Sequence, residues 1–242
     1  MGNTGRLGVL SAAGVLAVAL PSPFSAGAQD ATRLSAQEVI GRMSKAYAGC
    51  ASYRDTGVVR IEYLGTVVEH TEERPFATAF ERPDCFRFEF EETSPLGQAR
   101  RYVVWRLGDR VMTWWDIRPG VQEAPSLHMA VAGATGVSGG SAHTIPALLL
   151  PQEISGRRLT GMSDLEQVAD AEVGGASCFC IEGTYANMRT TVCVGKRDFL
   201  VRRVSFERTF PNFRTRYTTT YEPVIDEPVA PELLEFRPPA PK

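Results

Sequence analysis

The chain has 242 residues, of which 43% are hydrophobic and 22% charged, and this composition is typical of a globular rather than a disordered protein. Its 26 basic and 28 acidic residues give a formal net charge of −2, which argues against the strongly basic surfaces that bind nucleic acids or anionic membranes. A partner therefore has to be recognised by shape and apolar contact.

The N-terminal segment, residues 1–28, has the pattern of a secretory signal peptide. Arg6 is its only charge, an apolar stretch runs from Leu7 to Leu20, and Ala26-Gly27-Ala28 has the small-x-small form of a cleavage site. The apolar stretch is shorter than the roughly 20 residues of a transmembrane helix. We expect cleavage after Ala28 and a periplasmic mature chain, 29–242, that forms a single domain.

One amphipathic helix opens the mature chain, and strands follow it. Ser35-Ala-Gln-Glu38 is a capping box, and apolar residues recur at helical spacing from there to about Gly49. The period then changes to two, so that Val59, Ile61 and Tyr63 share one face of a half-buried strand.

Further strands are predicted on both sides of an irregular middle region. Pro75 separates two of them and indicates an edge or a bulge. Gly108-Asp109 is the turn of a hairpin. The tail, 223–239, is rich in proline and is expected to lie extended against the body. The predicted strands are 66–73, 76–80, 85–90, 101–107, 110–115, 177–184, 190–195, 200–208 and 213–222.

An apolar, glycine-punctuated insert, residues 126–151, interrupts the strands. Its pattern predicts a short helix beginning near Leu127 and a second from Ile145 to Leu150 with Pro146 in the first turn, joined by a flexible Gly/Ser connector. We name this insert the cover, because it is predicted to close over the sheet.

Three segments resemble the LolA-like lipoprotein carrier superfamily, which includes outer-membrane lipoprotein-sorting proteins. They are the capped helix leading into 52–58 (Ser-Tyr-Arg-Asp-Thr-Gly-Val), Arg82-Pro-Asp-Cys-Phe-Arg-Phe88, and the proline-rich end from Tyr221 to Phe236. The likeness covers nearly the whole mature chain. It implies a mainly β fold of the α+β class, in which a curved antiparallel sheet forms an unclosed barrel covered by helices. It also implies a carrier that holds lipid acyl chains or lipoprotein, without a cofactor and without catalysis.

The aromatic side chains and the apolar insert together predict a ligand cavity between sheet and cover. Arg101 is expected to meet a head group or the carbonyl groups of the cover. A filled core needs the same aromatic residues and is the alternative interpretation. The residues expected to contact the ligand are Phe86, Phe88, Phe90, Val103 and Trp105 from the sheet, and Leu127, Met129, Val131, Ile145, Leu148 and Leu149 from the cover.

Five cysteines leave at least one thiol unpaired in an oxidising compartment. Cys178 and Cys180 share one face of a strand, and Cys193 lies on the strand that returns beside it, so a link from Cys193 to either is a candidate disulfide. A pair of Cys50 and Cys85 is a second candidate. Their spacing matches no zinc pattern, and we predict no metal site.

Gly136-Val-Ser138-Gly-Gly140 has the form of a nucleophile elbow, the feature that favours a hydrolase. An elbow needs a strand before its serine and a helix after it, whereas an Ala/Gly-rich helical stretch precedes Ser138. His143 follows five residues later, and His70 and His128 are isolated. We interpret the motif as a flexible hinge and predict no catalytic residues.

Two functions fit this pattern. The first is a periplasmic carrier or sensor that holds acyl chains between the sheet and the cover. The alternative is an envelope regulatory module that binds a protein or an outer-membrane polypeptide through an exposed edge strand. Neither needs a nucleic acid or a transmembrane segment in the mature chain.

Overall fold

The computed structural model describes Met1 and residues 34–65, 69–93 and 97–239 of the chain. The predicted signal peptide and its cleavage site therefore lie outside the described residues. Leu34–Lys242 form one compact unit. Its helices are α1 (Ala36–Gly49), α2 (Leu127–Thr135), α3 (Ser141–Thr144), α4 (Pro146–Leu149) and α5 (Pro231–Leu234), with a 3₁₀ turn at Leu159–Gly161.

Thirteen strands form a single antiparallel sheet. Along it the order is β6-β5-β4-β3-β2-β1-β12-β11-β10-β9-β7, while β13 pairs with β1 and β8 with β9. The path does not join β6 to β7 among the described strands, so the curved sheet is an unclosed barrel, and the predicted fold class is confirmed. The strands are β1 (Ser52–Leu64), β2 (His70–Glu81), β3 (Cys85–Thr93), β4 (Ala99–Leu107), β5 (Arg110–Trp115), β6 (Val121–Glu123), β7 (Ser163–Gln167), β8 (Ala171–Val173), β9 (Ala176–Tyr185), β10 (Met188–Gly195), β11 (Val201–Thr209), β12 (Arg214–Tyr221) and β13 (Val224–Ile225).

Helix α1 forms as the capping box predicts. The Ser35 hydroxyl accepts from the Glu38 backbone N–H at 3.3 Å, and the Glu38 carboxylate accepts from the Ser35 backbone N–H at 2.8 Å. Two of the amide groups that a helix start leaves without partners are thus satisfied. The apolar stripe of α1 packs into the core through Val39, Ile40, Met43 and Tyr47.

Strand alternation decides which residues enter the core. The helices α1–α4 pack on one face of the sheet, which we call the concave face; the opposite one is the outer face. Val59 and Ile61 of β1 are buried on the concave face, as their period of two predicts. Pro75 pairs with Val58 of β1 but lies beyond the last pair that β2 makes with β3, Phe76 with Phe90, so the β3 side of β2 is a local edge there, as predicted.

The cover connects the two free edges of the sheet. Strand β6 ends at Glu123, and β7, the strand at the opposite edge, begins at Ser163. The chain between them contains α2, α3 and α4. The predicted Gly/Ser connector is more ordered than expected, because Ser141–Thr144 forms the short helix α3 after Gly140, whose φ is 95°.

The chain after β13 lies against the outer face. Val229 and Leu234 pack on Ala79 of β2. The Arg87 guanidinium of β3 donates to the carbonyl oxygens of Glu232 and Glu235 at 3.0 and 2.7 Å. The tail is extended as predicted except for α5, whose first residue is Pro231.

Gly57→Ala is expected to lower the free energy of unfolding by about 2 kcal/mol, because the added Cβ overlaps the Phe76 ring and the Thr220 carbonyl oxygen. Gly41→Ala, inside α1 with nothing within 4 Å of its added Cβ, is the matched control. That change should raise the same free energy by about 0.5–1 kcal/mol through helix propensity. Urea unfolding of both variants measures the difference, and equal effects would contradict the close approach at Gly57.

Candidate functional site

Aromatic side chains form the floor of the candidate site on the concave face. Phe86, Phe88 and Phe90 of β3 are each at most 1% exposed. The register places Phe86 and Phe90 opposite Phe80 and Phe76 of β2, which are equally part of the core, and Phe88 opposite Thr78. Neighbouring rings contact one another: Phe88 stacks on Phe76 with centroids 6.1 Å apart, and Phe88 and Phe90 are tilted with centroids 6.4 Å apart. The floor is therefore continuous across two strands.

The cover lies on this floor. Its buried side chains belong to the same hydrophobic cluster as the three phenylalanines. The α2 stripe follows helical spacing, and α4 adds two leucines. The cover residues buried in that cluster are Leu127, Ala130, Val131, Ala134, Ala142, Ile145, Ala147, Leu148, Leu149 and Leu150.

Met129 is a correction to the predicted site. It is 57% exposed and faces away from the floor. The reason is its position on α2, one residue off the stripe at Leu127, Ala130, Val131 and Ala134.

Val103, Trp105 and Arg101 are a second correction, because they do not share a face with the phenylalanines. In the β3–β4 register Phe86, Phe88 and Phe90 lie opposite Arg106, Val104 and Tyr102, whereas Val103, Trp105 and Arg101 lie opposite Glu89, Arg87 and Glu91. Residues directly opposite in a sheet project to the same side. The three residues therefore project from the outer face, away from the cover.

The tail covers part of that outer surface. Phe236 contacts the rings of Trp105 and Trp114 at centroid distances of 5.1 and 5.3 Å. The Arg101 guanidinium lies 5.5 Å from the Phe236 centroid and also pairs with Glu89. Arg101 thus holds the tail and contacts neither the cover nor the aromatic floor through any bond found among the described residues.

Other arginines bind the cover instead. Arg74 of β2 donates to the Val137 carbonyl oxygen at 2.7 Å. Arg82, in the turn after β2, donates to the Leu149 carbonyl oxygen at 3.1 Å. Arg106 of β4 pairs with Glu153, just beyond the cover. No local pattern in the sequence predicts these three contacts, because the partners are 47 to 67 residues away in the chain.

The cover fills the concave face in this state. Leu127, Val131, Ile145, Leu148 and Leu149 are each at most 3% exposed, as are the phenylalanines beneath them. The open hollow expected from the sequence is therefore occupied by the cover's own side chains. A ligand can reach the aromatic floor only if the cover moves.

A buried carboxyl group lies on the same face. Asp55 of β1 is 5% exposed and accepts from the Tyr53 hydroxyl at 2.7 Å and from the Thr78 backbone N–H at 2.8 Å. Burial raises the pKa of Asp55 to about 6, while these hydrogen bonds act in the opposite direction.

Three thiols and one disulfide account for the cysteines. Cys180 and Cys193 lie directly opposite on β9 and β10 and form a disulfide with an S–S distance of 2.04 Å. Cys50, Cys85 and Cys178 are free. The candidate pair of Cys50 and Cys85 is not formed, because the Cys50 thiol donates to the Tyr47 carbonyl oxygen and Cys85 lies with the tail cluster of Ala79.

Ser138 has a structural partner. It is fully buried, and its hydroxyl oxygen accepts from the Ala142 backbone N–H at 3.2 Å, so it satisfies an amide group in the first turn of α3. His143 bonds the Ser155 carbonyl oxygen at 3.0 Å. Within the described ranges no group of three His, Cys, Asp or Glu side chains is placed to hold a metal ion.

The comparisons with known proteins concern the fold. No protein-family model matches the chain, and no curated protein matches it. Solved structures that it resembles include LprF from Mycobacterium bovis, with 11% identity, a TM-score of 0.48, and coverage of 83% of this chain and 97% of that one. A LolA superfamily protein from Nitrosomonas europaea has 9% identity, a TM-score of 0.32, and coverage of 84% and 99%.

The MucA/MucB complex of Pseudomonas aeruginosa also resembles it, with 13% identity, a TM-score of 0.36, and coverage of 84% of this chain and 61% of that one. The sequence resemblance to LolA-like proteins thus has counterparts among solved structures. At these values the likeness carries no argument about function. Of the helices in the described part of the chain, none has the length and apolar character needed to cross a bilayer.

Proposed function

We propose that the protein is a periplasmic binding or carrier protein that takes up an acyl chain of a lipid or lipoprotein between the aromatic floor and the cover. The observation that carries this proposal is that the cover's apolar side chains occupy the concave face while its own helices are short. An acyl chain is chemically equivalent to the leucine and isoleucine side chains that it would replace on the floor.

The cover is suited to displacement. Helix α2 has nine residues and α3 and α4 have four each, and isolated helices of fewer than roughly 12 residues are marginal in water. The cover therefore depends on the sheet for its structure. Its many alanines and glycines bury little area, so lifting it exposes less apolar surface than lifting a leucine-rich helix.

The gain from a ligand has to offset the cost of lifting the cover. Burial contributes roughly 0.8 kcal/mol for each methylene, so a sixteen-carbon chain contributes on the order of 10 kcal/mol before ordering costs. Against this stand the tethers from Arg74 and Arg82 to cover carbonyl groups, each contributing about 1–3 kcal/mol. The large apolar side chains that the cover buries on the floor also contribute, about 1.5–3 kcal/mol for each one that is fully exposed. The two sides are therefore of similar size, and exchange requires that the ligand replace the cover's contacts with the floor.

Release of one tether tests this proposal. In Arg74→Met the bond to the Val137 carbonyl oxygen is lost and the apolar stem is kept, so the cover opens more often. We expect a fluorescent fatty acid such as cis-parinarate to associate roughly 5-fold faster than with the wild type. Stopped-flow fluorescence measures the rate, and mass spectrometry of organic extracts from natively purified protein identifies the chain that is carried.

Arg60→Met is the matched control, because Arg60 pairs with Glu62 and Glu73 on the sheet itself. Its association rate should equal that of the wild type. If Arg74→Met also left the rate unchanged, entry beneath the cover would be ruled out as the rate-limiting route.

A further inference from the structure

A groove on the outer face is separate from the site under the cover. It has a volume of about 530 Å³, within the range of about 300–1,000 Å³ that small-molecule sites occupy. Its floor is formed by β1, β2 and β3. Helix α5 forms one wall through Leu233, and the turn between β8 and β9, Gly174-Gly175, forms another. The sheet itself separates this groove from the aromatic floor.

The floor of the groove is apolar and made of small side chains. Ala77 and Ala79 of β2 project into it from the outer face, with Ala176 and Val224 beside them. Leu233 is 46% exposed on its wall. These residues leave a space that a flexible apolar chain can fill.

Arginines line the same groove. Arg202 pairs with Asp198 through Nη2, while its Nη1 is buried and has no hydrogen-bond partner among the described residues. Arg54 pairs at 2.8 Å with Glu227, and both side chains are at least 40% exposed, so that pair is weak and open to competition.

The other charged side chains that line the groove already have partners, including Asp55, which accepts from the Tyr53 hydroxyl and the Thr78 backbone N–H. Arg87 and Glu89 pair with each other at 2.6 Å, and Arg101 pairs with Glu89 from the outer face. Glu222 accepts from the Thr56 hydroxyl at 3.3 Å. Among the charged side chains that line the groove, Arg202 has a buried donor without a partner in the described part of the chain, and this donor favours an anion.

The backbone of the floor excludes an extended peptide as the occupant. Strand β2 pairs with β1 and β3 along the groove, and β1 pairs on its other side with β12 and β13. Neither edge of β2 is free beneath Ala77 and Ala79 among the described residues, although β13, at the side of the groove, pairs only with β1. A peptide laid on this floor would bury its own amides without partners, whereas an acyl chain has no such groups.

We propose that the outer groove binds a single-chain amphiphile with an anionic head group, with its chain on Ala77 and Ala79 and its head group at Arg202 and Arg54. This is a second ligand site, distinct from the one beneath the cover. A carboxylate and a phosphate head group both match an arginine donor, and oleate and lysophosphatidate as separate probes distinguish these two sources.

Isothermal titration of the full chain with oleate tests the groove through its stoichiometry. Ala77→Phe fills the floor and should reduce the bound oleate by one equivalent relative to the wild type. Ala99→Phe makes the same change at an exposed position of β4 that does not line the groove, and should leave the stoichiometry unchanged. This readout is independent of the cover: if the site beneath it binds nothing, the expected change is from one equivalent to zero rather than from two to one.

Two further variants complete the test. Thr56→Phe narrows the groove from an exposed position and replaces Ala77→Phe should that variant fail to fold. Arg54→Gln with Arg202→Gln should weaken oleate binding at this site roughly tenfold or more. Dodecyltrimethylammonium, which has a cationic head group, should not bind there. The proposal would be overturned if a folded groove variant bound as many equivalents of oleate as the wild type. It would also be overturned if the double arginine variant bound oleate with unchanged affinity, or if the cationic amphiphile bound as tightly as oleate.

Discussion

A variant with Val59→Cys and Gly139→Cys is expected to lose one equivalent of bound acyl chain when it is oxidised and to regain it when it is reduced. Gly139, in the cover, lies against Val59 of β1, and a Cβ placed on Gly139 falls 3.7 Å from the Val59 Cβ. Disulfides have Cβ–Cβ separations of about 3.5–4.5 Å, so the two cysteines can join without a large backbone shift.

The joined state holds the cover on the aromatic floor. Because the ligand needs the floor that the cover occupies, its affinity for this site should fall at least about 100-fold on oxidation. Gly139 has a φ of 66°, where a side chain costs roughly 1–2 kcal/mol, so the reduced variant should be slightly less stable than the wild type but folded. Titration of the same sample before and after reduction measures the change.

Val59→Cys alone, taken through the same oxidation and reduction, is the control. The wild type treated in parallel reports any effect of reducing the disulfide between Cys180 and Cys193. Equal acyl-chain binding by the oxidised and reduced double variant would show that the ligand does not lie beneath the cover, and the proposed function would have to be abandoned.

The strands could be predicted from the sequence wherever side chains alternate strongly. Phe86, Phe88 and Phe90 have that pattern, and β3 buries all three on one face. Strands β7 and β8 were missed because they are short and half polar, and pairing with β9 stabilises them rather than local preference. The β-propensity of a segment predicts a strand poorly where contacts with neighbouring strands determine whether the strand forms.

The alternation of apolar and polar side chains does not determine which side chains of two neighbouring strands share a face of the sheet. The sequence shows that Val103 and Trp105 share a face, and it shows the same for the phenylalanines of β3. Only the register, in which Phe86 lies opposite Arg106, places the two sets on opposite sides of the sheet. A shift of one residue in that register would exchange the faces.

Met129 was a different kind of error, since its position on the helix was available from the sequence. At 100° per residue it lies off the stripe of Leu127, Ala130, Val131 and Ala134, and strict use of the helical period would have excluded it. The arginines that bind the cover could not have been found in this way. When the partner of an arginine is a backbone carbonyl far away in the chain, the residues around the arginine carry no pattern that predicts the contact.

The buried Asp55 makes the stability of the protein depend on pH. Its pKa rises from 3.8 to about 6 on folding because burial disfavours the charged form. At low pH both the folded and the unfolded states hold the proton. As the pH rises through about 4 the unfolded state releases it while the folded state keeps it, so the free energy of unfolding falls until about pH 6 and is level above that.

Asp55→Asn is therefore expected to raise the free energy of unfolding at pH 7.5 by up to about 3 kcal/mol, since two pKa units correspond to about 2.7 kcal/mol. Asparagine can keep both contacts, because its carbonyl oxygen accepts from the Thr78 N–H and its amide can donate to the Tyr53 oxygen. At pH 3.5 the variant and the wild type should be about equally stable.

Urea unfolding of both proteins at several values between pH 3.5 and 7.5 isolates this group, because other titrations cancel in the difference. Tyr53→Phe is the second arm: it removes a hydroxyl that donates to the carboxylate, so the pKa of Asp55 should rise further and the fall in stability should extend to higher pH. The difference in free energy of unfolding between Asp55→Asn and the wild type could instead be constant from pH 3.5 to 7.5. That result would mean that the Asp55 carboxyl group is as well solvated in the folded state as in the unfolded one. Water would then reach Asp55, which projects from the same side of the sheet as the aromatic floor and also lines the outer groove.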